Sequence, residues 1–338
     1  MIPDFFIRQA MGLLSPAGKR ARLSVFIFHR VLPTPDPLFP DEPDAEQFDR
    51  IVSWITTWFE VIPLDAAVDA LKTEKLPARA AVITFDDGYA DNCTVAMPIL
   101  LKHKISATFF IATGYLDGGR MWNDTIVESI RAFQQNMLDL SALGLASYRT
   151  GTIEEKRHTI SAILDKTKYL APADRHHATQ EIARLTRSQL PDKLMMTSEQ
   201  VRKMRQAGMQ IGAHTVTHPI LSRIDLSTAR DEISNSKTCL ENILGEPVTL
   251  FAYPNGKPGE DYLPEHARLI EAAGFHAAVS TAWGSAGAAT DLFEVPRFTP
   301  WNKTRLKFAF RLMGNLLALP PACTSASPPS KDWPSTPD

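Results

Sequence analysis

The sequence predicts an α/β fold closed into a barrel, and three observations carry that expectation. Short apolar, β-branched runs alternate with amphipathic helical stretches, the order that parallel strands with crossover helices produce. About seven or eight such runs fall in one series, which suits a single barrel better than two domains. Asp86-Asp87, His214, Asn255, Arg297 and His29 fall at or just after the ends of those runs, where barrel active sites form.

Residues 1–22 mix Phe5, Phe6, Ile7, Met11, Leu13 and Leu14 with Arg8, Lys19, Arg20 and Arg22. This basic amphipathic segment is expected to cover an apolar patch of the barrel, with peripheral membrane contact as the other use of such a pattern. Ser24–Phe28 is the first strand, ending in His29-Arg30. The five prolines between Pro33 and Pro43 exclude a continuous helix there. Phe48, Ile51, Val52, Ile55, Trp58 and Phe59 then mark one face of a helix. A short run at 59–63 and a helix over 65–71 lead to the buried strand Ala81–Phe85, which ends in Asp86-Asp87-Gly88. A helix carrying Val95, Ile99 and Leu100 and a strand over 107–112 continue the alternation.

Residues 122–195 break the rhythm and read as a helical insertion, with His176-His177 on its surface. Thr197-Ser198-Glu199-Gln200 then has capping-box spacing, and Gly208 ends that helix. The strand 209–213 runs into His214-Thr215-Val216-Thr217-His218-Pro219. A helix over 227–244 stopped by Gly245, a strand over 248–253 closed by Pro254-Asn255-Gly256, and a helix over 264–273 follow. Strands at 275–281 and 294–298 and a helix at 304–317 complete a barrel spanning residues 23–318. The Pro/Ser-rich tail 319–338 is expected to be disordered.

A formal net charge of −2 argues against a nucleic-acid partner held by phosphate contacts. Cys93, Cys239 and Cys323 are far apart, without the pairing of a disulfide framework or a structural zinc site. The first residues lack a basic region followed by an apolar run and a cleavage site, and no window is long and apolar enough to cross a bilayer. The expected location is therefore the cytoplasm, with the inner membrane face as an extension of that expectation.

Two carboxylates at the end of a buried strand repel each other and lose water, so a metal ion or an ordinary polar turn must account for Asp86-Asp87. His214-x-x-x-His218 brings two imidazoles together if the segment turns helically. With Asp87 they form a His-His-carboxylate set suited to zinc or a similar divalent ion. Asp86 is then left over as a general base acting on water.

Thr84-Phe85-Asp86-Asp87-Gly88 and His214-Thr215-Val216-Thr217-His218-Pro219 resemble the first two signature motifs of the polysaccharide deacetylases, the NodB-homology group also called carbohydrate esterase family four. The resemblance spans about Leu23 to Trp301. It implies a distorted (β/α) barrel of about seven strands and metal-dependent removal of N-acetyl, or sometimes O-acetyl, groups from a glycan. Zinc is the implied ion, with cobalt, nickel or manganese as substitutes. Asp86 is implied as catalytic base, and Asp87, His214 and His218 as metal ligands. Tyr253-Pro254-Asn255-Gly256 stands at the third motif, implying a backbone oxyanion donor at Asn255 and placing Tyr253 against substrate. The arginine usual in that motif is replaced by Ala252, and Arg297 is the candidate for the residue that holds the base. No histidine follows His276, so the usual C-terminal acid is missing. His29 resembles the first-strand histidine of deacetylases acting on poly-N-acetylglucosamine and is the candidate acid or sugar contact. Two other readings fit the same motifs: a hydrolase of a small amide, and a glycan-binding barrel without turnover.

Overall fold

The computed structural model describes residues 4–300 and 304–318, so the tail at 319–338 lies outside the described residues. The helix α1 (Asp4–Leu14) buries Ile7 and Met11 against the barrel, while Phe6 and Leu13 stay exposed on its other side. The expectation of a covering segment thus holds for one face of the helix. No described helix is long and apolar enough to cross a membrane.

The strand β1 (Ser24–Phe28) is buried at every position, as expected of a parallel strand covered on both faces. α2 (Ala45–Trp58) is capped by Asp44, whose side chain accepts from the Gln47 N–H, and buries the apolar face read from the sequence. β2 (Glu60–Val61), α3 (Leu64–Lys72) and β3 (Ala80–Phe85) follow, and β3 is again wholly buried. After a π-helical turn at Asn92–Ala96 come α4 (Met97–Lys102) and β4 (Thr108–Ile111). Phe85 of β3 stacks on Phe109 of β4 at 4.7 Å and on Phe28 of β1 at 5.3 Å, so three adjacent strands share one aromatic layer.

The insertion contains α5 (Trp122–Ala132), β5 (Met137–Asp139), β6 (Ser147–Arg149), α6 (Ile153–Thr167) and α7 (Pro172–Thr186). It is not all helical, because β5 and β6 pair as an antiparallel hairpin. Strands of three residues carry too few alternations for a period of two to stand out. Ile126, Ile130, Phe133, Leu138, Ile160 and Ile182 form a small core of their own, joined by Leu38 from the proline-rich loop after β1.

The barrel resumes with α8 (Ser198–Gln206), which starts on the expected capping box between Thr197 and Gln200, and with β7 (Gln210–Ala213). α9 (Leu226–Leu244), β8 (Leu250–Ala252), α10 (Pro264–Ala272), β9 (Ala277–Val279) and α11 (Arg305–Leu317) complete the described elements. The sheet is parallel in the order β1-β3-β4-β7-β8-β9, with β2 beside β3. Residues 294–298 do not form the regular strand expected of them. Pro296 has no N–H to give to a ladder, and Arg297 N–H turns away to the Ala282 carbonyl. The segment still ties β9 to β1. Val295 exchanges bonds with Ala278 and Ser280 (3.0 and 2.8 Å), and Phe298 with Val25 and Ile27 (2.7 and 3.1 Å). This irregular link draws the two ends of the sheet together, and the result is a distorted barrel.

Candidate active site

His29, Asp86-Asp87, His214 and Asn255 lie just beyond the carboxyl ends of β1, β3, β7 and β8, and Arg297 reaches them from the irregular link after β9. Asp86 extends β3 by one residue, its N–H donating to the Phe28 carbonyl at 3.0 Å. Asp87 and Gly88 then take φ of 74° and 90°, two left-handed residues in a row. A side chain at Gly88 would be strained by that φ and would meet Ile111 Cγ2 at 3.1 Å, so glycine is required. The turn sends the two carboxylates to different partners.

Asp86 goes to Arg297. Two parallel N–H donors of the guanidinium reach its two oxygens at 2.7 Å each, and Nε donates to the Ser280 carbonyl at 2.8 Å. Both side chains are buried, at 3% and 2% exposure, so the pair forms where solvent screening is weak. Burial alone would raise the Asp86 pKa, but Arg297 and then His214 outweigh it and hold the carboxyl below its usual range. The outcome is an ionised, oriented carboxylate.

Asp87 goes to the histidines. Its Oδ1 lies 3.6 Å from His214 Nε2 and 3.4 Å from His218 Nε2, and it is buried without a hydrogen-bond partner among the described residues. One ligand atom from each of these three residues lies within 4.8 Å of the others. Donors bound tetrahedrally to one ion at about 2.0–2.2 Å sit roughly 3.3–3.6 Å apart, so the two separations suit an ion held between these atoms. His214 Nδ1 faces the Ala252 carbonyl at 2.7 Å, which turns Nε2 toward the site, where, against the lowering effect of burial, Asp86 and Asp87 raise the imidazole's pKa. Burial lowers the His218 pKa to about 4, so its imidazole is neutral at ordinary pH. A buried, unpartnered carboxylate oxygen facing two imidazole nitrogens is costly without a cation. The donor set fits a divalent ion of the zinc type.

The 214–218 segment is not the helical turn that would have aligned its histidines. Thr215 and His218 take φ of 65° and 54°, and the rings meet at 4.8 Å between centroids through that tight turn. Asn255 is left-handed as well, at 57°. Among the described residues nine non-glycine positions have positive φ, and four of them (Asp87, Thr215, His218 and Asn255) lie here. Such backbone strain concentrates where a surrounding structure imposes a geometry for function. Glu232 of α9, which sequence reasoning missed, imposes much of it. Its carboxylate accepts from the N–H groups of Val216 and Thr217 at 2.7 and 2.8 Å and from the Thr217 hydroxyl at 2.6 Å. No motif spacing links Glu232 to His218, so nothing local in the chain could have flagged it.

His29 and Asn255 share with the two aspartates and two histidines a cleft of about 260 Å³. The Asn255 turn is pinned from Thr281, whose hydroxyl donates to the Asn255 carbonyl and whose N–H donates to the Gly256 carbonyl, each at 2.8 Å. The Asn255 N–H itself has no acceptor among the described residues. His29 stands exposed at the rim, its carbonyl tied to Asn92 Nδ2 at 2.9 Å. Tyr253 is different: it is fully buried, stacked on Tyr262 at 3.6 Å, with its hydroxyl donating to the Phe293 carbonyl at 2.9 Å. The contact with substrate expected of Tyr253 is therefore corrected to a core role. It precedes the turn that carries Asn255, and its ring meets Phe251 in the same core layer.

An adjoining cavity of about 250 Å³ holds Arg30, Glu42, Tyr89 and Asp124. The Tyr89 hydroxyl bonds Asp124 Oδ1 at 3.0 Å, while burial lifts the Asp124 carboxyl to about 7. An acid raised in the fold is protonated there while its unfolded counterpart is ionised, so its contribution to stability falls as pH rises from about 4 to about 7. Asp124→Asn is expected to stabilise the fold at pH 8 by on the order of 2 kcal/mol, seen as a higher melting temperature, and to change it little at pH 4. Thermal melts at the two pH values check this, and an equal effect at both would rule it out.

The family model described as polysaccharide deacetylase matches residues 73–278, well over half of the chain. YxkH of Bacillus subtilis (strain 168), a protein named for polysaccharide deacetylation, is 21% identical over 281 residues, covering 82% of this chain and 71% of YxkH. The deacetylase PplD of Streptococcus pyogenes superposes with a TM-score of 0.57 at 19% identity, covering 88% of this chain and 98% of PplD. IcaB from Ammonifex degensii gives 0.55 at 18%, covering 90% and 99%. At these identities the structural likeness speaks for the fold. With the matched family model, which takes in the aspartate pair and both histidines, this chain belongs to the polysaccharide deacetylase family of hydrolases acting on carbon–nitrogen bonds.

Proposed function

We propose that this chain hydrolyses N-acetyl groups on an acetylated glycan and releases acetate, using the cleft at Asp86, Asp87, His214 and His218. The observation that carries the reading is the unpartnered Asp87 Oδ1 facing two imidazole nitrogens beside a base clamped by arginine. Zinc, the ion this donor set favours, would be held by Asp87, His214 and His218 and would supply Lewis acidity toward the acetyl carbonyl and toward water.

The protein's own groups divide the remaining work. Asp86 accepts a proton from the attacking water, and Arg297 keeps that carboxylate ionised and aimed. The Asn255 N–H donates to the carbonyl oxygen as it gains charge, a bond stronger in the transition state than in the ground state. His29, at the rim, protonates the departing amine or holds the sugar that bears it. An N-acetyl group needs such a donor, because an unprotonated amine is a poor leaving group.

Acetate release from acetylated chito-oligosaccharides tests the proposal, alongside a panel of small amides. Turnover of the oligosaccharides that a chelator abolishes and added zinc restores is the expected result. Turnover of small amides alone would move the substrate class. A protein that turned over nothing yet bound oligosaccharide would be a glycan-binding barrel.

A further inference from the structure

We propose that the insertion supplies the cleft with a subsite for an anionic group on the glycan, with Arg175 as its principal cation. This rests on the deacetylase reading and narrows its substrate to acidic acetylated glycans. Arg175 of α7 lines the catalytic cleft and is only 7% exposed. Among the described residues its guanidinium has no carboxylate within 4.0 Å; it donates once, to the Lys168 carbonyl at 3.2 Å, and lies over the Trp122 ring at 4.9 Å. A guanidinium has five donors, and one carbonyl bond together with the Trp122 ring leaves most of them open to an anion entering the cleft. Burial pushes its pKa down, against only a weak opposing effect of Tyr115.

The other acids of the cleft are committed or distant from this role. Asp86 holds Arg297, and Asp87 faces the two histidines. Asp165 lines the same wall but is exposed, and it forms no ion pair with Arg175 or Lys168. Lys168, half-buried on that wall, makes no ion pair among the described residues and adds a second positive charge. Asn123 Oδ1, buried in the same lining without a partner, is available to a sugar hydroxyl. The Trp122 ring, under the Arg175 guanidinium, steadies that cation on the wall of the cleft. The catalytic wall thus comes from strand ends and the recognising wall from the insertion, in a space suited to about one sugar with its substituents.

A carboxylate on an acidic sugar and a phosphate ester would both satisfy a guanidinium. Three N-acetylated oligosaccharides of equal length separate these sources: a neutral one, one with alternating uronate, and one ending in a 1-phosphate. The wild-type chain is expected to favour one of the anionic pair over the neutral compound by about tenfold or more in kcat/KM, mostly through KM. Arg175→Met, which keeps an unbranched stem and removes the charge, should remove that preference, with the loss of kcat/KM on the favoured anionic compound exceeding that on the neutral one by about tenfold; Arg175→Lys should restore part of it. Affinities measured by calorimetry on Asp86→Asn protein run in parallel. No preference for either anion in kinetics or binding would overturn the subsite, as would an equal loss on all three compounds in a variant that melts normally. Absent turnover with the binding preference intact would overturn deacetylation and leave the subsite standing.

Discussion

Asp86→Asn should lower acetate release by about a thousandfold or more while leaving metal affinity nearly unchanged. The substitution is almost isosteric, so the fold and the Asp87–His214–His218 set stay in place. What it removes is the buried carboxylate that stands beside the metal-ligand set without belonging to it. General-base catalysis contributes roughly 10²–10⁴-fold, and the asparagine also leaves two guanidinium donors of Arg297 facing a neutral amide. Acetate assays with metal analysis on the same preparation check this. Full turnover in the variant would transfer the base role elsewhere, and the exposed His29 would be the first residue to examine.

Arg297→Met should produce the largest loss of stability of any single change in the site, about 3–5 kcal/mol near neutral pH. The cause is not the missing bonds alone. Removing the guanidinium strands a carboxylate that is 3% exposed, and an unpaired buried charge costs more than the pair contributes. The pH dependence identifies that cause. In the wild type, Asp86 is held below its usual pKa, so its stabilising contribution is complete above about pH 4 and is lost as pH falls through the folded value. In the variant, burial without a partner raises the Asp86 pKa, so acid relieves the penalty by protonating it. The gap in unfolding free energy between the two proteins should therefore narrow as pH drops from 7 toward 4. A constant gap would mean that Arg297 acts through packing.

Much of this site could be read from the chain because its pieces obey local rules. β3 and β7 are short buried runs, and the polar residues that follow them have no place in a core, so Asp86, Asp87 and His214 stand out. Arg297 was recognisable by its position after an apolar run even though that run never becomes a regular strand. What could not be read depends on geometry made at a distance. The left-handed Thr215 has no sequence signal, since a β-branched residue is disfavoured there and is held only by its surroundings. Glu232 and Arg175 act from helices whose sequences look like ordinary amphipathic surface. Tyr253 shows the opposite failure: a family motif suggested substrate contact, while the packing of its ring on Tyr262 places it in the core.

The central claim is the division of labour between two adjacent aspartates, and metal stoichiometry measures it most directly. Asp86→Asn and Asp87→Asn proteins are stripped with chelator, reloaded with zinc, freed of excess ion and assayed for bound metal. The account predicts close to one equivalent in the Asp86 variant and a large loss in the Asp87 variant, with both inactive. Equal zinc content in the two proteins, or retention in Asp87→Asn with loss in Asp86→Asn, would contradict it.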